Sequence, residues 1–205
     1  MIIKNLIRIF KSYKFTIIKI IIFEIIYILR GFKGNTISNA SNVEMADNIP
    51  CPYFFLYKIK KVMKNLKFDN FIDLGCGSGR VIDYFNKSFP KKSYTGIEFG
   101  TKEYSSVKNI FRYNKNITIL KKDFTKINYK QQKTNCFFLN NPFVNDEKFI
   151  KFFTLLTFKK NITKNTIFIF VNFKKKTINK LKKIKLINNY QVTKIKGFSI
   201  AILIK

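Results

Sequence analysis

Short apolar runs, each closed by a glycine turn or an acid, punctuate the middle of this chain. Phe71-Ile72-Asp73-Leu74 runs into Gly75, Tyr94-Thr95-Gly96-Ile97 ends in Glu98, and Ile117-Thr118-Ile119-Leu120 passes two lysines to reach Asp123. Runs this short and this apolar predict strands buried on both faces, as in a parallel sheet. Further strands are predicted over 134–139 and 165–172, with helices near 79–88, 101–114, 146–157 and 175–184 between strands. Tyr53, Leu56, Ile59 and Val62 recur at helical spacing, so a helix over 52–66 leads into the first strand. The last two runs, 190–196 and 198–204, meet at Gly197. Joined by so tight a turn, they can only be antiparallel neighbours. The pattern is that of an α/β fold with three layers, a seven-stranded and mostly parallel sheet, and an antiparallel C-terminal hairpin.

The first thirty residues follow a different rule. On a helical wheel Lys4, Arg8, Lys11, Ser12, Lys19 and Arg30 share about one third of the circumference. Ile2, Leu6, Ile9, Phe10, Tyr13 and Ile17 lie opposite, and Ile20–Leu29 is apolar all round except for Glu24. A membrane span fails on magnitude: some 13 apolar residues at about −0.5 kcal/mol each meet two central charges, Lys19 and Glu24, at roughly +3 each. The stretch from Phe15 to Leu29 is also shorter than the ~20 residues a span needs. Glu24 interrupts any signal-peptide core, and no small-residue cleavage site follows. Two readings fit: a basic amphipathic helix on an anionic membrane surface, or a helical extension packed on the domain. Residues 31–51, with Gly31, Gly34, Asn35, Ser38, Asn39, Ser41, Asn42 and Pro50, read as a linker.

Composition changes the picture in two places. Forty basic residues against eleven acidic ones give a net charge of +29, which points toward nucleic acid or an anionic membrane. Only four of the forty are arginine, whereas phosphate and base recognition favours arginine. The lysine excess accompanies abundant Asn, Ile and Phe, the signature of an AT-rich coding sequence, so charge alone selects no substrate and nucleic acid is not the favoured partner. Histidine is absent altogether, which excludes histidine triads and histidine acid–base pairs and removes the commonest metal ligand. Cys51, Cys76 and Cys136 form no Cys-x-x-Cys pair, so no metal site is expected and a reducing, cytoplasmic location is.

The glycine loop carries the chemistry. Asp73-Leu74-Gly75-Cys76-Gly77-Ser78-Gly79 is an Asp-x-Gly-x-Gly-x-Gly segment, with Glu98 nineteen residues beyond Gly79. Gly75 and Gly77 can take positive φ and let backbone approach a ligand, while Gly79 would let the next helix pack close to the first strand. A nicotinamide-binding loop wants Gly-x-Gly-x-x-Gly; here the third glycine comes one residue early and Arg80 fills its place. The segment resembles motif I of class I, Rossmann-like S-adenosylmethionine-dependent methyltransferases, and the resemblance covers residues 52–205. It implies an S-adenosylmethionine-binding methyltransferase domain with Asp73 near the methionine amino group. Gly75, Cys76, Gly77 and Gly79 would form the loop under the cofactor, Glu98 would hold the ribose hydroxyls, and Asp123 would meet the adenine amino group.

The fourth predicted strand runs into Asn140-Asn141-Pro142-Phe143. This is similar to motif IV of the amino-methylating members, Asp/Asn-Pro-Pro-Tyr/Phe, with Asn141 in place of the first proline. The pair also resembles non-SET lysine methyltransferases, and Asn-Pro-Phe closes this strand in many bacterial members. The resemblance implies that Asn140, Asn141, Pro142 and Phe143 stand at the methyl end of the cofactor, and either asparagine fits the orienting role. A neutral amine brings its own lone pair and needs orientation more than deprotonation, whereas an oxygen acceptor would want a base or metal. The expected activity is methyl transfer to an amino-type acceptor such as protein lysine. Alternatives are transfer to a nucleic-acid base, or a non-catalytic S-adenosylmethionine-binding module. The basic helix adds an expectation of peripheral membrane association.

Overall fold

The computed structural model describes residues 2–34, 49–127, 129, 135–140, 143, 145–158, 165–173, 175–182, 189–195 and 198–204. Two helices, α1 (Ile2–Leu29) and α2 (Tyr53–Met63), precede an alternation of strands and helices. The alternation runs β1 (Asn70–Leu74), α3 (Arg80–Ser88), β2 (Ser93–Glu98), α4 (Thr101–Ile110) and β3 (Ile117–Lys121). It continues with β4 (Asn135–Asn140), α5 (Asp146–Phe158), β5 (Ile167–Val171), α6 (Lys175–Lys182), β6 (Asn189–Ile195) and β7 (Phe198–Ile204). The seven strands form one sheet in the order β3-β2-β1-β4-β5-β7-β6. Strands β1 to β5 pair in parallel, while β7 is antiparallel to both β5 and β6. The expected hairpin is therefore present, with β7 inserted between β5 and β6. The order reverses at β1, whose neighbours are β2 and β4, and this switch point opens a crevice at the strand C-termini.

Period-two alternation divides the core cleanly. Phe71, Cys136, Phe138, Ile167 and Ile169 face one layer, built from α2, α3 and the C-terminal half of α1. Ile72, Leu74, Phe137, Leu139, Phe168 and Phe170 face the other, where Phe149, Phe153 and Leu156 of α5 and Leu181 of α6 close over them. Both faces of β4 and β5 are covered, which is why those strands read as continuous apolar runs.

Helix α1 is joined to the domain along one side. Phe23 packs edge-on against Phe54, and Tyr27 stacks on Tyr53 with ring centroids 5.0 Å apart. Glu24, the charge that broke the apolar run, has two partners: the Tyr53 amide donates to Oε1 at 2.8 Å, and Arg80 Nη1 donates to Oε2 at 2.7 Å. Residues read as linker also meet the domain, since Gly34 and Cys51 are buried and the Gly34 carbonyl accepts from Ser78 Oγ and Arg80 Nε. Gly34 has φ +79, and a Cβ there would collide with Arg80 backbone. Residues 35–48 lie outside the described residues.

Arg80 side-chain exposure is 8% and Glu24 exposure 25%, so removing the acid strands a nearly buried guanidinium. Glu24→Ala is expected to cost about 3 kcal/mol, the range for breaking a buried pair from one side. Equilibrium denaturation of the full chain measures this as a lower midpoint at unchanged slope.

Candidate cofactor and acceptor site

The glycine loop is fixed at its base by strand β2. Gly75 N and Cys76 N both donate to the Ile97 carbonyl, at 2.9 and 3.0 Å. Gly75 and Gly77 have φ +80 and +49, the left-handed conformations the sequence pattern requires. The expectation for Gly79 changes: its Cβ would lie 2.6 Å from Val107 and 2.7 Å from Phe111, so it admits α4 and not a closer contact with β1. Cys76 brings backbone to the loop, and its buried thiol is pushed up by burial and then by the charges of Asp73 and Glu98, which leaves it inert.

Glu98 bridges the loop to the start of α4. Gly77 N donates to Oε2 at 2.8 Å and Gly100 N donates to Oε1 at 2.8 Å. Each oxygen keeps a second lone pair for a hydroxyl donor. Asp73 differs, being 2% exposed with no hydrogen-bond partner at Oδ2. Burial, reinforced by the Glu98 charge, raises its carboxyl well above the ordinary range. A buried carboxylate oxygen without a donor beside a second carboxylate suits a cationic group. The α-ammonium of an amino-acid moiety meets that requirement, so the residues fit S-adenosylmethionine.

The other end of the crevice is built from amides. Asn140 closes β4; its Nδ2 donates to the Ile49 carbonyl at 3.0 Å, and its Oδ1 accepts from Asn172 Nδ2 at 2.9 Å. Asn172 follows β5 with φ 63, and its Oδ1 is buried without a partner. It was missed in the sequence, although the signal was the same, an apolar run closing in asparagine. Asn141 and Pro142 lie outside the described residues. Phe143, expected at the methyl end, is buried at 7% exposure and packs among Phe124, Phe149 and Phe152. Asp123 caps the 3₁₀ turn Phe124–Lys126, with Oδ1 accepting from Thr125 N and Oγ1, and with Lys126 Nζ 3.6 Å from Oδ2. Among the described residues no group of three or more His, Cys, Asp or Glu is placed to hold a metal ion.

The raised Asp73 carboxyl has a thermodynamic consequence. Between the ordinary carboxyl value and the raised one, the native state binds more protons than the unfolded chain, so stability falls as pH rises through that window. Asp73→Asn should flatten this fall. Thermal midpoints of both proteins across the acid-to-neutral range measure the difference.

Comparison with known proteins agrees with the geometry. Residues 71–156 match the family described as a methyltransferase domain. No curated protein matches the chain. An S-adenosylmethionine-dependent O-methyltransferase from Thermotoga maritima is 14% identical, with a TM-score of 0.57 over 75% of this chain and 66% of that one. An RNA methyltransferase from Salinibacter ruber, bound to S-adenosyl-L-homocysteine, is 12% identical, with a TM-score of 0.58 over 76% and 94%. Human N-acetylserotonin methyltransferase with its cofactor is 12% identical, with a TM-score of 0.51 over 74% and 55%. At these identities the likeness is one of fold. The domain match spans the glycine loop, Asp73, Glu98 and β4, and the fold is the Rossmann-like one of the S-adenosylmethionine-dependent methyltransferases.

Proposed function

We propose that the acceptor is an amino group, with protein lysine as its class. The observation that carries this reading is the pair of amides at the ends of β4 and β5. Asn140 Oδ1 accepts one bond from Asn172 and keeps a second lone pair, and Asn172 Oδ1 has no partner. Two carbonyl oxygens with spare capacity suit an acceptor that brings N–H donors. With no histidine anywhere in the chain, an acceptor that needs orientation more than proton removal fits best.

Asp73 would take the α-ammonium of the cofactor, Glu98 the ribose hydroxyls through its free lone pairs, and the Gly75–Gly79 loop the space beneath. The remaining Oδ2 of Asp123, 3.6 Å from Lys126 Nζ, would serve the adenine amino group. Bound, the cofactor supplies a methyl group already activated as a sulfonium. The amine must arrive neutral, against a reference pKa of about 10.4 for lysine, and an apolar approach favours that form. Transfer to a nucleic-acid base is the second reading, supported by the +29 charge. Cofactor binding without transfer would mark a non-catalytic module.

Calorimetry should show S-adenosylhomocysteine binding that weakens as pH falls through the raised Asp73 carboxyl, because only the carboxylate pairs with the ammonium. Glu98→Ala should weaken it by about 1–3 kcal/mol through lost charge-assisted bonds. Tight NAD binding with no response to the sulfonium cofactor would contradict these assignments.

Radiolabelled S-adenosylmethionine with cell lysate should leave label that protease releases and nuclease does not, recovered after acid hydrolysis as methyl-lysine. Nuclease-sensitive label would select the second reading. Asn140→Ala and Asn141→Ala separate the two candidates: loss of the orienting amide should lower turnover by about 10²-fold while cofactor affinity is kept. Full activity in both variants would remove the support from this segment.

A further inference from the structure

The outward side of α1 is apolar, and the domain contacts do not use it. Ile20, Phe23, Glu24 and Tyr27 face the domain. On the opposite side Ile18, Ile21, Ile22, Ile25, Ile28 and Leu29 are between 44% and 81% exposed. At 100° per residue these positions form one stripe down the C-terminal half of the helix. Lys19 and Arg30, both exposed, flank it. The sequence of the N-terminal half adds Lys4, Arg8, Lys11 and Lys14.

We propose that this side of α1 docks on an anionic lipid bilayer. The isoleucine half would dip into the acyl boundary while the basic half lies on the headgroups, as interfacial helices do. Charge complementarity selects this occupant. A second copy of the chain would bring another +29 against the first, and a nucleic acid offers nothing for six isoleucine and leucine side chains to bury. No helix among the described residues is long and apolar enough to cross a membrane. Crossing would also pull Glu24 from Arg80 and Tyr53, whereas lying on the surface leaves those bonds intact. The inference stands apart from the identity of the methyl acceptor.

The full chain should co-sediment with mixed phosphatidylcholine–phosphatidylserine vesicles, far less with phosphatidylcholine alone, and less as salt rises. Ile22→Glu/Ile25→Glu should weaken partition to the mixed vesicles by roughly tenfold or more, with the thermal midpoint kept because both positions are exposed. The chain has no tryptophan, so Ile25→Trp gives a sole reporter whose emission should shift to the blue on those vesicles. Unchanged partition by the double variant, an unshifted reporter, or a concentration-dependent dimer abolished by the same substitutions would each overturn the proposal.

Discussion

One guanidinium ties the N-terminal fifth of this protein to its glycine loop. Arg80 opens α3 directly after the last loop glycine, and its side chain is nearly buried. It donates to Glu24 of α1, to the Cys51 carbonyl and to the Gly34 carbonyl, and its plane lies over the Tyr53 ring at 4.4 Å. Burying such a group is costly unless its hydrogen bonds and charge are met together. Meeting them requires α1, the turn after it and the entry to α2 to assemble around the loop at once. The arginine that fills the third-glycine place of a nicotinamide loop is therefore a structural hub in this fold.

The sheet supplies the rigidity behind that hub. Aromatic rings alternate across β4 and β5, with Phe137 stacked on Phe168 and Phe153 edge-on to both Phe168 and Phe170. Each such pair adds about 0.5–1.5 kcal/mol beyond area burial. The ends of these strands can then carry amides in defined positions, because the residues just before them have no freedom to reorient. Asn140 and Asn172 sit at neighbouring strand ends and lock each other through one amide bond. The same packing absorbs Phe143, whose ring joins the α5 layer.

The succession of strands and helices and the antiparallel C-terminal hairpin were legible because they depend on local patterns. Gly75 and Glu98 each close an apolar run, and a strand end in a parallel sheet is a position with a known address. The bond between Glu24 and Arg80 was not legible, since 56 positions separate them and neither has a local signature. Glu24 looked like an interruption in an apolar helix when it is one of the contacts that dock that helix. For α1 the wheel could not say which side meets the domain, because both sides of its C-terminal half are apolar. Asp123 could have been read further: Asp-x-Thr is a local capping pattern, and the cap now occupies one of its oxygens.

Residues between α1 and α2 anchor both ends of the crevice. Gly34 accepts from Ser78 and Arg80 at the glycine loop, and Ile49 accepts from Asn140 at the end of β4. One anchor is thus at the glycine loop and the other at the end of β4, and both belong to the chain that follows α1. A displacement of α1 relative to the sheet must strain or break contacts at Arg80, because its donors are shared between α1 and that chain. Strain at Arg80 reaches Gly79 and the loop through backbone. The position of α1 on the domain is therefore a determinant of how the site is shaped, although no side chain of α1 itself is among the groups assigned to cofactor or acceptor.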